Sequence, residues 1–83
     1  MSILYILNKV YMGDKMDKQI TLVLANILKE KNITRYELAK RTGIQYQIID
    51  NYYKNKVTRY DKDTLLRICI ALDCEIGDVL KIV

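Results

Sequence analysis

Apolar residues recur at helical intervals over most of the chain. The clearest amphipathic stripe has members at i, i+3, i+4, i+7 and i+8, and these are Ile20, Val23, Leu24, Ile27 and Leu28. Asp17 precedes the stripe as an expected N-cap. Asn32, which tolerates the left-handed conformation, follows it. The pattern therefore predicts a long first helix that begins just after Asp17 and ends before Asn32.

Two further helices are predicted on either side of Gly43. Thr34 and Glu37 have the spacing of a capping box, which marks the start of the first of these helices. Gly43 can adopt the left-handed conformation that ends a helix in a sharp corner. Gln45 opens the next helix, and the residues expected to face inward from it are Ile49, Tyr52 and Tyr53.

The outer face of this next helix carries long or polar side chains. Its members are Tyr46, Gln47, Asp50, Asn51 and Lys54. Ile48 lies at the edge of that face, where DNA contact and core packing are both open. Two helices joined in this way are typical of a helix-turn-helix, whose second helix enters the major groove of DNA. The alternative is an ordinary helical hairpin with a solvated polar face.

The remainder of the chain predicts two more helices. Asn55 is expected to end the third helix in a left-handed conformation, and a basic loop follows at 56–60. Asp61 or Asp63 would cap the fourth helix, and Asp73 would end it where Gly is usual. The expected buried residues of the fourth helix are Leu65, Leu66, Ile68, Cys69 and Leu72, and those of a short fifth helix, which begins at Glu75, are Ile76, Val79 and Leu80.

Residues 1–16 are predicted to form an extension to a domain at 17–83. Their apolar run at 3–7 is far too short to span a membrane, and its residue types favour a strand. We expect such a strand to pair with its copy in a second chain or to pack on the flank of the domain. The alternative is that synthesis starts at Met12 or Met16 and that the stretch is a disordered leader.

The composition argues against catalysis. The chain has 83 residues, which suits one small domain with one core, and it contains no His and only one Ser, Ser2. Nucleophile-plus-His catalysis and His-containing zinc sites are thereby excluded. Cys69 and Cys74 lack metal-ligand spacing and are expected to be buried thiols in a reducing cytosol. We predict no enzyme activity, no cofactor and no metal.

The positive charge is concentrated in the middle of the chain. The net charge is +4, and residues 19–59 carry eight basic side chains and three acidic ones, whereas residues 60–83 carry three basic and five acidic. The basic segment surrounds the predicted second helix of the helix-turn-helix. A polyanionic partner follows, because phosphate contacts supply most of the non-specific affinity for DNA. A merely solvated basic face is the alternative.

The order of the elements resembles the Cro/CI-type (phage-repressor-like, XRE family) helix-turn-helix domain of bacterial and phage transcriptional regulators. The resemblance covers residues 17–83, and the matching segments are 33–39, 42–44, 49, 63–69, 71–73 and 78–80. It implies an all-α, five-helix, lambda-repressor-like DNA-binding domain, to which the predicted N-terminal β-strand would be an addition. Gln45 departs from the family, which often has Ser or Thr at the N-cap of the recognition helix.

The resemblance also implies which residues contact DNA. Arg35, which opens the second helix, would hold a phosphate. The start of the recognition helix would contact bases and backbone, and the loop after it would contact phosphates. The positions concerned are Gln45, Tyr46, Gln47 and Asn51 on the helix, and Lys54, Lys56 and Arg59 after it. Of these, Gln47 and Asn51 are the expected base contacts, because amide side chains bind adenine bidentately.

Asp50 is the one acidic side chain on this face. A carboxylate is unfavourable beside phosphates, so we expect Asp50 to point along the edge of the groove or to pair with a neighbouring base. Tyr46 would pack on a thymine methyl group or bind a phosphate.

The sequence therefore predicts a small transcriptional regulator, a repressor, that binds double-stranded DNA as a cytoplasmic homodimer and has no membrane contact. A dimer is expected because one small domain presents one recognition helix. Its candidate surfaces are the N-terminal strand and the apolar end at 79–83. The alternative function is an antitoxin or protein-interaction module that uses the same domain to bind a partner protein.

Overall fold

The computed structural model describes residues 18–83, which form five helices and a two-stranded antiparallel sheet. The elements are β1 (Ile20–Leu22), α1 (Leu24–Lys31), α2 (Arg35–Thr42), α3 (Tyr46–Tyr53), α4 (Lys62–Leu72), α5 (Ile76–Val79) and β2 (Leu80–Ile82). The prediction of a five-helix, mainly helical domain is confirmed, and the pairing of β1 with β2 adds a small sheet that was not predicted. The strand predicted near the N-terminus and the cap predicted at Asp17 lie outside the described residues. No helix within residues 18–83 is both long and apolar enough to cross a membrane.

The first helix begins later than predicted, because β1 occupies the positions before it. Ile20 and Leu22 pair with Ile82 and Leu80, and the Val23 N–H donates to the Val79 carbonyl at 2.8 Å. These backbone bonds to the C-terminal strand compete with the first helical turn, and β-branched residues favour the extended form. Ile20 is consequently 54% exposed and does not belong to the buried stripe of α1.

Four left-handed residues end helices or follow their last turn, as predicted. Gly43 has φ 73° and closes α2 with an N–H bond of 2.9 Å to the Ala39 carbonyl. Asn32, Asn55 and Asp73 have φ of 56°, 58° and 53°. Left-handed residues redirect the chain sharply while their N–H groups satisfy the last carbonyls of the helix. The short helices can therefore fold back onto one core.

The N-caps of α2 and α4 are side-chain oxygens. The Thr34 hydroxyl accepts from the Glu37 N–H at 3.0 Å, which confirms that half of the predicted capping box. The Glu37 carboxylate accepts instead from Arg41, at 2.6 Å. Of the two candidates at α4, Asp61 is the cap, and it accepts from the Thr64 N–H at 2.8 Å.

The core lies where the inner faces of the helices and β1 meet. Its buried members are Leu22, Leu24, Ile27, Leu28, Leu38, Ile49, Tyr52, Ile68, Cys69, Leu72 and Val79. Leu66 and Ile76 were predicted to be buried, but they are 56% and 49% exposed. Leu66 and Ile68 are about 200° apart around an α-helix, so they cannot both face the core, and Ile68 takes that side.

Gly43→Ala should destabilise the domain, because a Cβ is unfavourable at φ 73°. The expected loss in the free energy of unfolding is about 1–2 kcal/mol, measured by urea denaturation. The matched control is Gly77→Ala in α5, where an added Cβ has no neighbour within 4 Å. The control should be as stable as the native chain or slightly more stable. Equal stability of the two variants would contradict the assignment of strain to the Gly43 corner.

Candidate DNA interface

The corner between α2 and α3 is held by the side chain of Thr42. The Thr42 hydroxyl donates to the Leu38 carbonyl at 2.8 Å and accepts from the Ile44 N–H at 3.2 Å. Arg67 of α4 donates to the Thr42 carbonyl at 3.3 Å. The Thr42 hydroxyl and the Arg67 side chain thus both hold backbone groups of the turn, and these bonds help to fix the angle between α2 and α3.

The helix α3 has a buried inner face and an exposed outer face, as predicted. Ile49 is fully buried and Tyr52 is 3% exposed. Tyr53 is half-buried and packs against the core. The outer positions Gln45, Tyr46, Gln47 and Ile48 are exposed, and Asn51 is half-buried. For Ile48, the structure supports the exposed position over core packing.

The N-terminus of α3 has no side-chain cap. Gln45 is the N-cap residue, and its side chain makes no capping hydrogen bond. The Gln45 carbonyl instead accepts from the N–H groups of Ile48 and Ile49, at 3.0 and 3.2 Å. The Gln45 amide is therefore exposed and not committed to the cap.

Gln47 and Asn51 bond to each other on the outer face. The Gln47 Nε2 donates to the Asn51 Oδ1 at 3.1 Å, as their i, i+4 spacing allows. The structure thus brings the two predicted base-contacting residues together. Gln47 retains its Oε1 and one N–H, and Asn51 retains both N–H groups of its amide.

Asp50 differs from the prediction, since it lies against the protein and not along a groove edge. It is 7% exposed and forms ion pairs with Arg35 of α2 and with Lys54, whose Nζ is 3.0 Å from its carboxylate. The Arg35 guanidinium also stacks over the ring of Tyr53, 4.3 Å from its centroid. A poorly solvated carboxylate requires cationic partners. The sequence had predicted Arg35 and Lys54 only as phosphate contacts, so their pairing with Asp50 is a second role.

The cations around Asp50 keep it ionised. The hydrogen bond from Lys54 lowers the pKa of Asp50 most, burial opposes this effect, and Arg35 lowers the pKa further. Asp50 therefore carries a full negative charge at neutral pH. Together with Arg35 and Lys54 it gives this part of the surface a net charge of +1 instead of +2.

The loop after α3 presents two more basic side chains, and both of its ends are fixed. Lys56 and Arg59 are exposed, and neither takes part in the ion pairs found among residues 18–83. At one end the Asn55 side chain accepts from the Leu22 N–H at 3.1 Å and donates to the Thr21 hydroxyl at 2.8 Å. The position of the loop is therefore set partly by β1.

The other end of the loop is fixed by an aromatic pair. The Tyr52 hydroxyl accepts from the Asp61 N–H at 3.0 Å. Tyr60 packs edge-on against Tyr52, with ring centroids 6.3 Å apart. Both contacts tie the end of the loop to the inner face of α3.

Tyr36 is a further exposed residue of this surface, and the sequence predicted no role for it. It is 70% exposed on α2 and packs edge-on against Tyr46 of α3, with ring centroids 5.7 Å apart. The pair lies where the N-termini of α2 and α3 approach each other. An exposed aromatic residue beside Arg35, in the first turn of a helix, was the signal available in the sequence.

Residues 18–83 contain no candidate metal site. Across this part of the chain, no group of three or more His, Cys, Asp or Glu side chains is placed to hold a metal ion. Burial raises the pKa of the Cys69 thiol, and it raises that of Cys74 to about 11. Both thiols are therefore protonated and weakly nucleophilic at neutral pH.

Comparison with known proteins agrees with the resemblance to the Cro/CI-type helix-turn-helix domain. The family model of the Cro/C1-type HTH DNA-binding domain matches residues 23–83. The chain belongs to this family. The match thus includes all five helices, β2 and every described side chain on the surface of α3 and the following loop, whereas β1 (Ile20–Leu22) precedes it. A comparison with curated proteins gives no match.

Two solved structures share the fold of this Cro/C1-type domain. A candidate DNA-binding protein from Bacteroides fragilis superposes with a TM-score of 0.67 at 21% identity, covering 76% of this chain and 100% of its own. The transcriptional regulator VanUg superposes with a TM-score of 0.66 at 22% identity, covering 80% of this chain and 87% of its own.

Asp50→Asn should destabilise the domain at pH 7, because it removes the charge that Lys54 and Arg35 surround. The pKa of Asp50 is lowered on folding, so its ionised form contributes stability above its unfolded pKa of about 3.8. This contribution is lost as the pH falls through the lower pKa of the folded protein. The difference in unfolding free energy between the native chain and Asp50→Asn should therefore become smaller as the pH is lowered.

The matched control is Asp63→Asn. Asp63 pairs with Arg67 on the exposed surface of α4, at 2.9 Å, and an exposed pair contributes about 0–1 kcal/mol. Urea denaturation at pH 7 and at pH 3 measures both variants. A larger loss for Asp63→Asn than for Asp50→Asn would contradict the structural role given to Asp50.

Proposed function

We propose that the chain is a transcriptional regulator that binds a specific double-stranded DNA sequence and acts as a repressor. The observation that supports this most directly is the outer face of α3, where exposed amide and aromatic side chains stand on a helix held from behind by a buried face. In a helix-turn-helix, such a face lies in the major groove. The exposed cations of the following loop add attraction for phosphates.

Gln47 and Asn51 are proposed to contact the bases. Each amide can bind the N6 and N7 edge of adenine. Their mutual hydrogen bond restricts both side chains before DNA is present, so that less conformational freedom is lost on binding. We propose that the two amides contact adjacent bases, one base each. Gln45 and Tyr46 are proposed to contact the sugar–phosphate backbone and bases at the start of the helix.

Phosphate contacts are proposed for Lys56 and Arg59, and also for Arg35 and Lys54. The first two are exposed on a loop with fixed ends. The other two share Asp50, yet a guanidinium has five N–H donors, so Arg35 can bind the carboxylate and a phosphate together. Asp50 would then orient these cations and reduce their non-specific attraction. Residues 1–16 are proposed as an extension outside this interface.

Gln47→Ala should relax the sequence preference at one base position while leaving affinity for non-cognate DNA nearly unchanged. Each good bidentate base contact discriminates by about 1–3 kcal/mol. The measurement is selection of bound sequences from a random duplex pool, followed by titration of the selected site. Asn26→Ala, an exposed amide on α1, is the control and should retain the native preference. If Gln47→Ala keeps the native sequence preference, as the control does, Gln47 is not a base contact.

Lys56→Ala and Arg59→Ala should each weaken binding to all duplexes similarly. Each should reduce the slope of log affinity against log salt by about one unit per bound protomer. Fluorescence anisotropy over a range of salt concentrations measures the slope. Lys81 is exposed on β2, and Lys81→Ala is the control that shows how far the loss of any one positive charge changes the slope. If all three variants have the same slope, the loop is not a phosphate-binding element.

A further inference from the structure

An apolar groove lies along α4, and none of its lining residues is among the side chains proposed to contact DNA. It has a volume of about 720 Å³, and α4 forms one wall while the chain that leads into α5 forms the other. Leu66, Ile70 and Ile76 line it and are 56%, 69% and 49% exposed. Single exposed apolar side chains are ordinary, but several that converge on one groove mark an interaction surface. We call this surface the α4 groove.

The charges of the α4 groove are separated along its length. Lys62, at the start of α4, is exposed at one end, and Asp73 and Glu75 are exposed at the other. Lys62, Leu66, Ile70 and Asp73 are spaced at i, i+4, i+8 and i+11, so they lie on one stripe of the helix. The stripe therefore reads basic, apolar, apolar, acidic.

Two copies of this stripe are complementary when they run antiparallel, because the basic end of each then meets the acidic end of the other. In a symmetric pair with a two-fold axis across the middle of α4, Lys62 of one copy lies near Asp73 and Glu75 of the other. Leu66 of one copy then faces Ile70 of the other. The same contacts occur twice, which is the property of an isologous interface. An unlike partner would not require this reversal symmetry.

We propose that the α4 groove is the interface of a homodimer in which the α4 helices of two copies pack antiparallel. Leu66 and Ile70 form its apolar centre, and Lys62 pairs across the axis with the acidic end of the second copy. A homodimer is already expected from the sequence; the proposal adds the surface and the register of the contact, and it does not depend on DNA binding.

The exposed apolar patch on the sheet is a poorer site for a second copy. Ile20 and Ile82 lie there with Lys18 beside them, and Lys81 is exposed on the same short strand. Among the described residues of this patch the charged side chains are cations, so a symmetric contact would bring like charges together, which is unfavourable. The α4 groove offers opposite charges at its two ends.

The expected dimer is weak. An eleven-residue helix is about 16 Å long, so a contact between two of them falls toward the small end of specific interfaces, below about 1,200 Å². Dimerisation should therefore depend on concentration in the micromolar range or above. Two half-sites on one DNA molecule would strengthen it, because the second protomer then binds at high effective concentration.

The test is sedimentation equilibrium of the full chain, without DNA, over a wide concentration range. The native chain should show a monomer–dimer equilibrium, and Ile70→Glu should weaken the dimer by at least about tenfold. Ile82→Glu, an equivalent change on the sheet patch, is the matched control and should leave the equilibrium unchanged. Far-ultraviolet circular dichroism confirms that each variant is folded.

A charge exchange tests the predicted register. Lys62→Glu and Glu75→Lys should each weaken the dimer, and the double variant should recover much of the loss because the cross-pairs are restored with reversed sign. Additive weakening in the double variant would overturn the antiparallel register.

Other outcomes overturn the interface itself. A native chain that is monomeric at all concentrations would do so, as would a dimer that is lost in Ile82→Glu and retained in Ile70→Glu. A monomer whose unfolding free energy falls strongly on Ile70→Glu would show that the same chain covers the groove. Since no measurement includes DNA, failure here leaves the proposed DNA interface to its own tests.

Discussion

The burial of one face of α3 is the constraint on which the candidate interface depends. A helix of eight residues is not stable alone in water, because its nucleation is costly and its hydrogen bonds are few. Ile49 and Tyr52 supply the missing stability by packing in the core, and Gly43 and Thr42 set the direction from which α3 enters it. The exposed amides can therefore occupy fixed positions although none of them contributes to packing. The same arrangement explains why α3 tolerates a polar outer face without a side-chain cap.

Asp50 shows that the basic surface is also a structural element. A surface designed only for phosphates would have no carboxylate, yet here one anion joins Arg35 of α2 to Lys54 at the end of α3. The Coulomb attraction to two cations offsets the cost of taking the carboxylate out of water. It also holds the cations in one geometry, at the expense of some net positive charge. Affinity for any polyanion is thereby lowered while the positions of the contacts become better defined.

The sequence predicted those features that depend on neighbouring residues along the chain. The left-handed ends at Gly43 and Asp73 follow from local backbone preference, and the inward face of α3 follows from helical period. Features that depend on distant partners were not predictable in this way. Ile20 fits a helical stripe equally well, and only the backbone bonds to residues 79–83 make it a strand. Asp50 looks exposed on a helical wheel, because the wheel does not contain Arg35. Leu66 was assigned to the core for its residue type, although its angle around α4 points elsewhere.

The uneven charge of the chain is consistent with two separate surfaces. The basic side chains that surround α3 come from residues 19–59, whereas the acidic excess lies in residues 60–83, which include α4 and α5. A symmetric contact between the α4 grooves would join the less basic parts of two copies and would use none of the side chains proposed to contact DNA. Screening would weaken any repulsion between the basic faces of two protomers, since exposed charges interact weakly beyond about 10 Å in moderate salt. If the proposed α4 contact forms, the division of charge along the sequence would let one small domain attract a polyanion through one surface and a second copy through another.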